Sequence, residues 1–208
     1  MSHRTLPRTP ARLAVAALTL GSALALAACS PGTAEGDPTA AATAASSTDA
    51  VLAQAGLDGM DARQIIDTLD ATPLADRSVE LTASIRPDEL LLTTTDETQV
   101  SLPMPDDAFY VSFAPYENDT HDCYYHSLTT CTGELQGEDV HVTVTDDATG
   151  ETLVDETRTT FDNGFVGLWL PRDIDATVTV EHDGLSATQG ISTSHSDDVT
   201  CVTTMKLT

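Results

Sequence analysis

The sequence predicts a mainly β protein of the α+β class, a small helix-plus-sheet module followed by an immunoglobulin-like β-sandwich. Three observations lead there. Apolar residues recur at helical spacing between Val51 and Leu69. From Ser78 onward they alternate with a period of two, in short runs cut by turn residues. The region after Pro103 holds seven such runs, a number and spacing that suit a sandwich.

Residues 1–28 read as an export signal. Arg4, Arg8 and Arg12 precede an apolar stretch from Leu13 to Ala28, and no acidic residue occurs before Cys29. The stretch is short for a membrane span. It closes Leu26-Ala27-Ala28-Cys29, which resembles the bacterial lipobox. Cleavage before Cys29 and a diacylglycerol on its thiol are therefore expected, placing the protein outside the cytoplasm on a membrane it does not span. An ordinary signal peptide with a chance cysteine is the alternative. Residues 29–49 continue in Ala, Thr, Ser, Gly and Pro and are expected to be a disordered tether, with a reach of about 25 Å from the lipid.

Residues 50–103 form the expected N-terminal module. VLAQAGL (51–57) is a short helix closed by Gly56, and a second helix puts Ile65, Ile66 and Leu69 on one face before Pro73 ends it. Ser78–Ile85, Glu89–Thr94 and Thr98–Leu102 read as strands, the last pair a hairpin across Thr95-Asp96-Glu97. Such a module buries little surface alone, so it is expected to pack on the next domain or to form a homodimer.

Residues 104–208 form the expected sandwich. Its strands are Phe109–Pro115, Asp139–Asp146, Glu151–Thr160, Phe165–Pro171, Ala176–His182, Leu185–Thr193 and Thr200–Leu207. Asn163-Gly164 is the clearest type I′ turn signal. Val140, Val142 and Val144 alternate with polar residues, as a half-buried strand should. Phe165–Leu170 is apolar on both parities and is expected to be a central strand.

The charge excludes several functions. Thirty-three acidic residues against nine basic ones give -24 over 208 residues, and loss of the three signal-peptide arginines takes this to -27. A chain of this charge does not neutralise nucleic-acid phosphates, nor does it dock by charge on anionic lipid. The acidity reads as a solubilising surface that also concentrates cations.

Between Tyr116 and Gly133 the strand rhythm stops. This segment carries His121, Cys123, His126 and Cys131, two imidazoles and two thiols within eleven residues. Cys201 opens the last strand, and by parity with Thr203, Met205 and Leu207 it is expected on the core side, near one end of the sandwich. Three thiolates without a carboxylate make a soft site suited to Cu(I), or to Zn(II) if a histidine completes a tetrahedron. In an oxidising compartment a Cys123–Cys131 disulfide is the competing reading, worth roughly 2–3 kcal/mol by loop closure. A redox-active dithiol is a third. With Cys29 lipidated, three thiols remain, so one stays unpaired whichever bridge forms.

The other candidates are bland. His141 and His182 lie in strands and His195 in a loop, none at ligand spacing. Asp146-Asp147 and Asp197-Asp198 read as turn residues. Met60, Met104 and Met205 read as core. No GxSxG, HExxH or phosphate-cradling glycine loop occurs, so the chain is expected not to be an enzyme.

The strings FYVSFAPY (109–116), THDCYYHSLTTCTGEL (120–135), TFDNGFVGLWLPRD (160–173) and TCVTTMKL (200–207) resemble the CueP family of exported bacterial copper-binding proteins. The resemblance implies an N-terminal module that dimerises and a C-terminal β domain that holds the metal. It implies that Cys123, Cys131 and Cys201 carry copper; from their place in the same segment, His121 and His126 are expected as auxiliary ligands or gates. It also implies an exported copper acceptor such as a superoxide dismutase. Family members are soluble in the periplasm, whereas this chain carries a lipobox and a strongly acidic surface. Sequestration of Cu(I) at the cell surface and its delivery fit equally. The rival readings are a thiol–disulfide redox protein and a structural lipoprotein with a single disulfide.

Overall fold

Helix α1 (Pro38–Ala55) is the first element of the structure, a computed structural model that describes residues 38–208. The signal segment 1–28, the lipidation candidate Cys29 and the first part of the expected tether lie outside the described residues. The helix begins inside the stretch 29–49 read as a tether. The physical basis for a helix there is alanine. It has nothing to bury, but it has the highest helix propensity, and proline is well suited to a first helical turn. The helix is anchored by Val51 and Leu52, both buried, and ends at Gly56 with φ of +71°. Among the described residues no helix is long and apolar enough to cross a membrane.

Helix α2 (Ala62–Asp70) starts with a capping box: the Asp61 carboxylate accepts the Gln64 N–H at 2.8 Å, and Gln64 Oε1 accepts the Asp61 N–H at 3.0 Å. Its buried face carries Ile65, Ile66 and, unexpectedly, Asp70. After Pro73 and a 3-10 turn (Leu74–Asp76), strands β1 (Leu81–Ile85), β2 (Glu89–Thr94) and β3 (Gln99–Pro103) form an antiparallel meander. Leu81, Ala83, Ile85, Leu90, Leu92, Val100 and Leu102 pack with the helices into one core.

The seven expected sandwich strands are all present: β4 (Ala108–Phe113), β5 (Asp139–Asp146), β6 (Thr152–Thr159), β7 (Val166–Pro171), β8 (Asp175–His182), β9 (Leu185–Ser192) and β10 (Cys201–Val202). One sheet has the order β10-β4-β7, the other β6-β5-β8-β9. The protein is therefore mainly β with two α-helices among the described residues.

β4 is buried along its whole length. Phe109, Val111 and Phe113 enter the sandwich core, whereas Tyr110 joins the core formed with the helices. The strand is a wall shared by two cores. The same arrangement explains β7, which lies at the edge of its sheet and not at the centre. Its double-sided apolar pattern arises because Leu168 faces the sandwich core while Trp169 packs against the helix-side core.

The last strand also departs from expectation. Only Cys201 and Val202 keep regular pairing, parallel to β4 in the register Cys201↔Ser112 and Val202↔Phe113. Val202 therefore faces the sandwich core, and Cys201 faces away from it, into a small cluster with Ala114, Cys131 and Phe165. The parity argument fails because regular pairing ends at Val202. Beyond it the chain re-enters the core with Met205 and Leu207.

Candidate metal centre

Residues 116–133 lack regular strands but are tied down along their length. Glu134 accepts backbone N–H bonds from Glu117 at 2.7 Å and Asn118 at 2.9 Å, and the Asn118 side-chain amide at 3.0 Å. These donors hold its carboxyl down to about 2. The Tyr124 carbonyl accepts N–H bonds from Thr200 and Cys201, both 3.1 Å. His126 and Leu128 pair with β1 through Ile85 N–H to His126 C=O (2.8 Å) and Leu128 N–H to Ala83 C=O (2.9 Å). The loop is thus held between β1 on one side and β10 on the other.

That placement gathers the three cysteines among the described residues. Cys123 and Cys201 form a disulfide across 78 residues, with Cα atoms 5.7 Å apart, and Cys131 is a buried free thiol. The bridge is therefore not the Cys123–Cys131 pair expected from proximity in sequence. Cys201 reaches Cys123 because β10 lies directly beneath the loop. Cys131 remains adjacent, its Sγ 3.5 Å from Cys123 Sγ, and accepts the Ser127 N–H at 3.4 Å.

Both candidate histidines are here. His126 Nδ1 lies 3.8 Å from Cys201 Sγ. Among the described residues two ligand sets have donor atoms within 4.8 Å of one another: His121, Cys123 and Cys131 on the outer side, and His126, Cys131 and Cys201 inside. Cys131 belongs to both, and neither contains a carboxylate. His121 also lines an open cavity of about 400 Å³ with Asp119, Thr130 and Glu134. Phe165, fully buried, forms an apolar wall 4.6 Å from the His126 ring and 6.2 Å from that of His121.

Behind His126 lies a polar network that sequence reasoning missed. His126 Nε2 is 3.0 Å from Asp70 Oδ1, both side chains fully buried. Asp70 also accepts Tyr110 Oη at 2.5 Å and Asn163 Nδ2 at 2.8 Å. Gly167 makes room for this, since a Cβ there would overlap the Tyr110 hydroxyl. Asn163 comes from the expected I′ turn, but only Gly164 has positive φ, +78°. The Gly164 N–H bonds to the Phe161 C=O at 2.8 Å, so the loop is a turn closed by a left-handed glycine. This leaves the Asn163 amide free to reach Asp70. One sequence signal was available: Asp70 stands four residues after Ile66, a carboxylate on the apolar face of a helix.

The network sets the charges. Burial acts against the imidazolium, but the Asp70 carboxylate and its hydrogen bond raise His126 to about 9. Burial likewise opposes ionisation of Asp70, and His126, Tyr110 and Asn163 overcome it, keeping the carboxyl below its usual range. Burial pushes the Cys131 thiol up, yet the His126 imidazolium, the Ser127 N–H and the nearby Arg77 guanidinium bring it below the ordinary thiol value. Arg77 also donates to the Cys131 C=O at 2.7 Å. Asp70, His126 and Cys131 thus form a relay from carboxylate through imidazole to thiol.

The remaining candidates are elsewhere. His141 pairs with Asp155 at 3.0 Å on the outer sheet. His182 Nδ1 lies 3.0 Å from the Asp139 C=O. Asp146 accepts the Ala148 and Thr149 N–H groups, and Asp198 accepts those of Ser194 and His195, as turn residues do. Met104 and Met205 are core residues.

A family model described as periplasmic copper-binding protein CueP matches residues 64–206. Among solved structures, one titled "Crystal Structure of S.CueP" is similar at 42% identity and a TM-score of 0.72, covering 78% of this chain and 98% of that one. No curated protein matches the chain.

Proposed function

Because the chain belongs to the CueP family of periplasmic copper-binding proteins, we propose that it binds Cu(I) through the thiolates of Cys123, Cys131 and Cys201. His121 and His126 act as auxiliary ligands, and a lipid on Cys29 anchors the protein to the membrane. One observation carries the reading: three sulfurs and two imidazoles converge without a carboxylate, a donor set that suits a soft cation. Zn(II) is the competing ion, because three sulfurs and one imidazole also make a tetrahedral zinc site.

The disulfide form is the resting, oxidised state. It removes Cys123 from the outer set and Cys201 from the inner one. A thiol reductant supplying two electrons and two protons restores both. The reduced protein then sequesters Cu(I) or passes it to an exported acceptor such as a superoxide dismutase. Module 50–103 serves as a homodimer surface, in keeping with Val79, which is 91% exposed beside β1.

The test is copper stoichiometry in the reduced protein under anaerobic conditions. About one Cu(I) per chain is expected, with loss of binding in the Cys123→Ser, Cys131→Ser double variant. Retained stoichiometry in that variant overturns the site. Mass spectrometry of the exported N-terminus tests the anchor, which requires a diacylglycerol on Cys29.

The 3.5 Å approach of Cys131 to the disulfide favours a second reading, thiol–disulfide exchange. The Cys131 thiolate attacks Cys123 Sγ, a Cys123–Cys131 bond forms, and Cys201 leaves as a thiolate with no net electron transfer. Insulin reduction by the metal-free, reduced protein supports this reading, and its absence leaves copper binding alone.

A further inference from the structure

The site is built on the sandwich, yet one of its fully buried polar partners comes from the first helical module. Asp70 ends α2, is fully buried and spends its carboxylate on three side chains. Two of them, Tyr110 and Asn163, are donors only towards it and fix its position at 2.5 and 2.8 Å. The third is His126, and the contact is to Nε2. The Nδ1 atom consequently points the other way, toward Cys201 Sγ and the free Cys131 thiol. The hydrogen-bond partner of one imidazole nitrogen determines which nitrogen remains for a metal.

We propose that Asp70 is a positioning residue that fixes His126 with Nδ1 toward the thiols, and thereby sets how far the site accepts Zn(II) alongside Cu(I). The inference rests on the three-thiolate reading above. Cu(I) is satisfied by soft thiolates, so the imidazole adds little to its hold. Zn(II) needs a fourth donor to complete its tetrahedron, and here the inner imidazole is the buried candidate. Asp70 therefore acts on the competition between the two ions more than on copper itself. Loss of a carboxylate behind a ligating histidine lowers metal affinity by about 10–100-fold.

The experiment uses the full chain in detergent, reduced and anaerobic, with Zn(II) and Cu(I) affinities measured by chelator competition. Asp70→Asn is expected to weaken Zn(II) by about 10-fold or more and Cu(I) by only a few-fold. In a His126→Gln background the same substitution should change neither, because its effect passes through the imidazole. Nitrogen-15 spectra of Zn(II)-loaded wild-type protein should show His126 ligated at Nδ1 and protonated at Nε2. That readout needs no variant to fold. Ligation at Nε2, equal losses for both ions, or an undiminished Asp70→Asn effect without His126 would each overturn the proposal. If instead the Cys123→Ser, Cys131→Ser variant keeps its copper, the three-thiolate reading has failed, a separate outcome.

Discussion

Asp70 and His126 form an ion pair 3.0 Å across, with neither side chain exposed to solvent, joining the end of α2 to the cysteine loop 56 residues later. Such a pair does little to raise stability over an apolar isostere, but removing one partner strands the other charge in the interior. His126→Ala should therefore destabilise the oxidised protein by about 3–5 kcal/mol, measured by urea unfolding. The much smaller loss typical of an exposed pair would contradict the burial.

The same pair predicts a pH dependence. His126 is raised from 6.5 to about 9, so its contribution is complete below pH 6.5 and is lost as the pH rises through 9. Asp70 is lowered from 3.8, so its contribution is complete above that value and is lost as the pH falls through its folded value. Stability should be highest between these limits, and the melting temperature should fall from pH 6.5 to 9. In His126→Ala the alkaline decline should flatten.

Gly167 provides a steric test of the relay. A methyl there collides with the Tyr110 hydroxyl and approaches Asp70 Oδ2 to 3.1 Å. Gly167→Ala should cost about 1–3 kcal/mol through overpacking and displace Tyr110. Tyr110→Phe should cost about 1.5–3 kcal/mol, the worth of a hydrogen bond to a charged acceptor. If the two act on one contact, the double variant is less unstable than the sum.

Strand positions were legible where a period-two pattern cut by turns records burial on one face, as in β5 and β8, whereas the last run, expected over Thr200–Leu207, keeps strand pairing only at Cys201 and Val202. The site residues were legible by type: cysteine and histidine are uncommon in this chain, and four of them fall within eleven positions. Their pairing was not, because Cys201 meets Cys123 through the parallel register of β10 on β4, a tertiary fact. Asp70 was hidden for a related reason. Its place four residues after Ile66 marks it as facing the core, but nothing among thirty-three acids names its partner until the fold sets it beside His126.

Glu134 should control the mobility of the outer ligands. It anchors residues 117–119 from the rim of the cavity that His121 lines. Glu134→Gln keeps the shape but weakens charge-assisted bonds. Amide hydrogen exchange at Glu117, Asn118 and Asp119 should accelerate, while copper stoichiometry stays at one per chain as proposed. Unchanged exchange at these amides would show that the loop is held from β1 and β10 alone.

The disulfide and the metal should substitute for each other as staples. The Cys123–Cys201 bridge spans 78 residues of sequence, and a loop of that size corresponds to about 4–5 kcal/mol in the chain-entropy description. Reduction without metal should lower the melting temperature accordingly. Cu(I) bound by the three thiolates ties the same two segments together and adds stability by mass action, about 4 kcal/mol at a free concentration 1,000 times Kd. Copper should thus restore most of the lost stability in the reduced wild type. It should restore little in Cys131→Ser, since Cys131 belongs to both ligand sets. Calorimetry of the oxidised, reduced and copper-loaded forms makes the comparison. A reduced protein that copper does not stabilise would mean that the thiols are not the ligands.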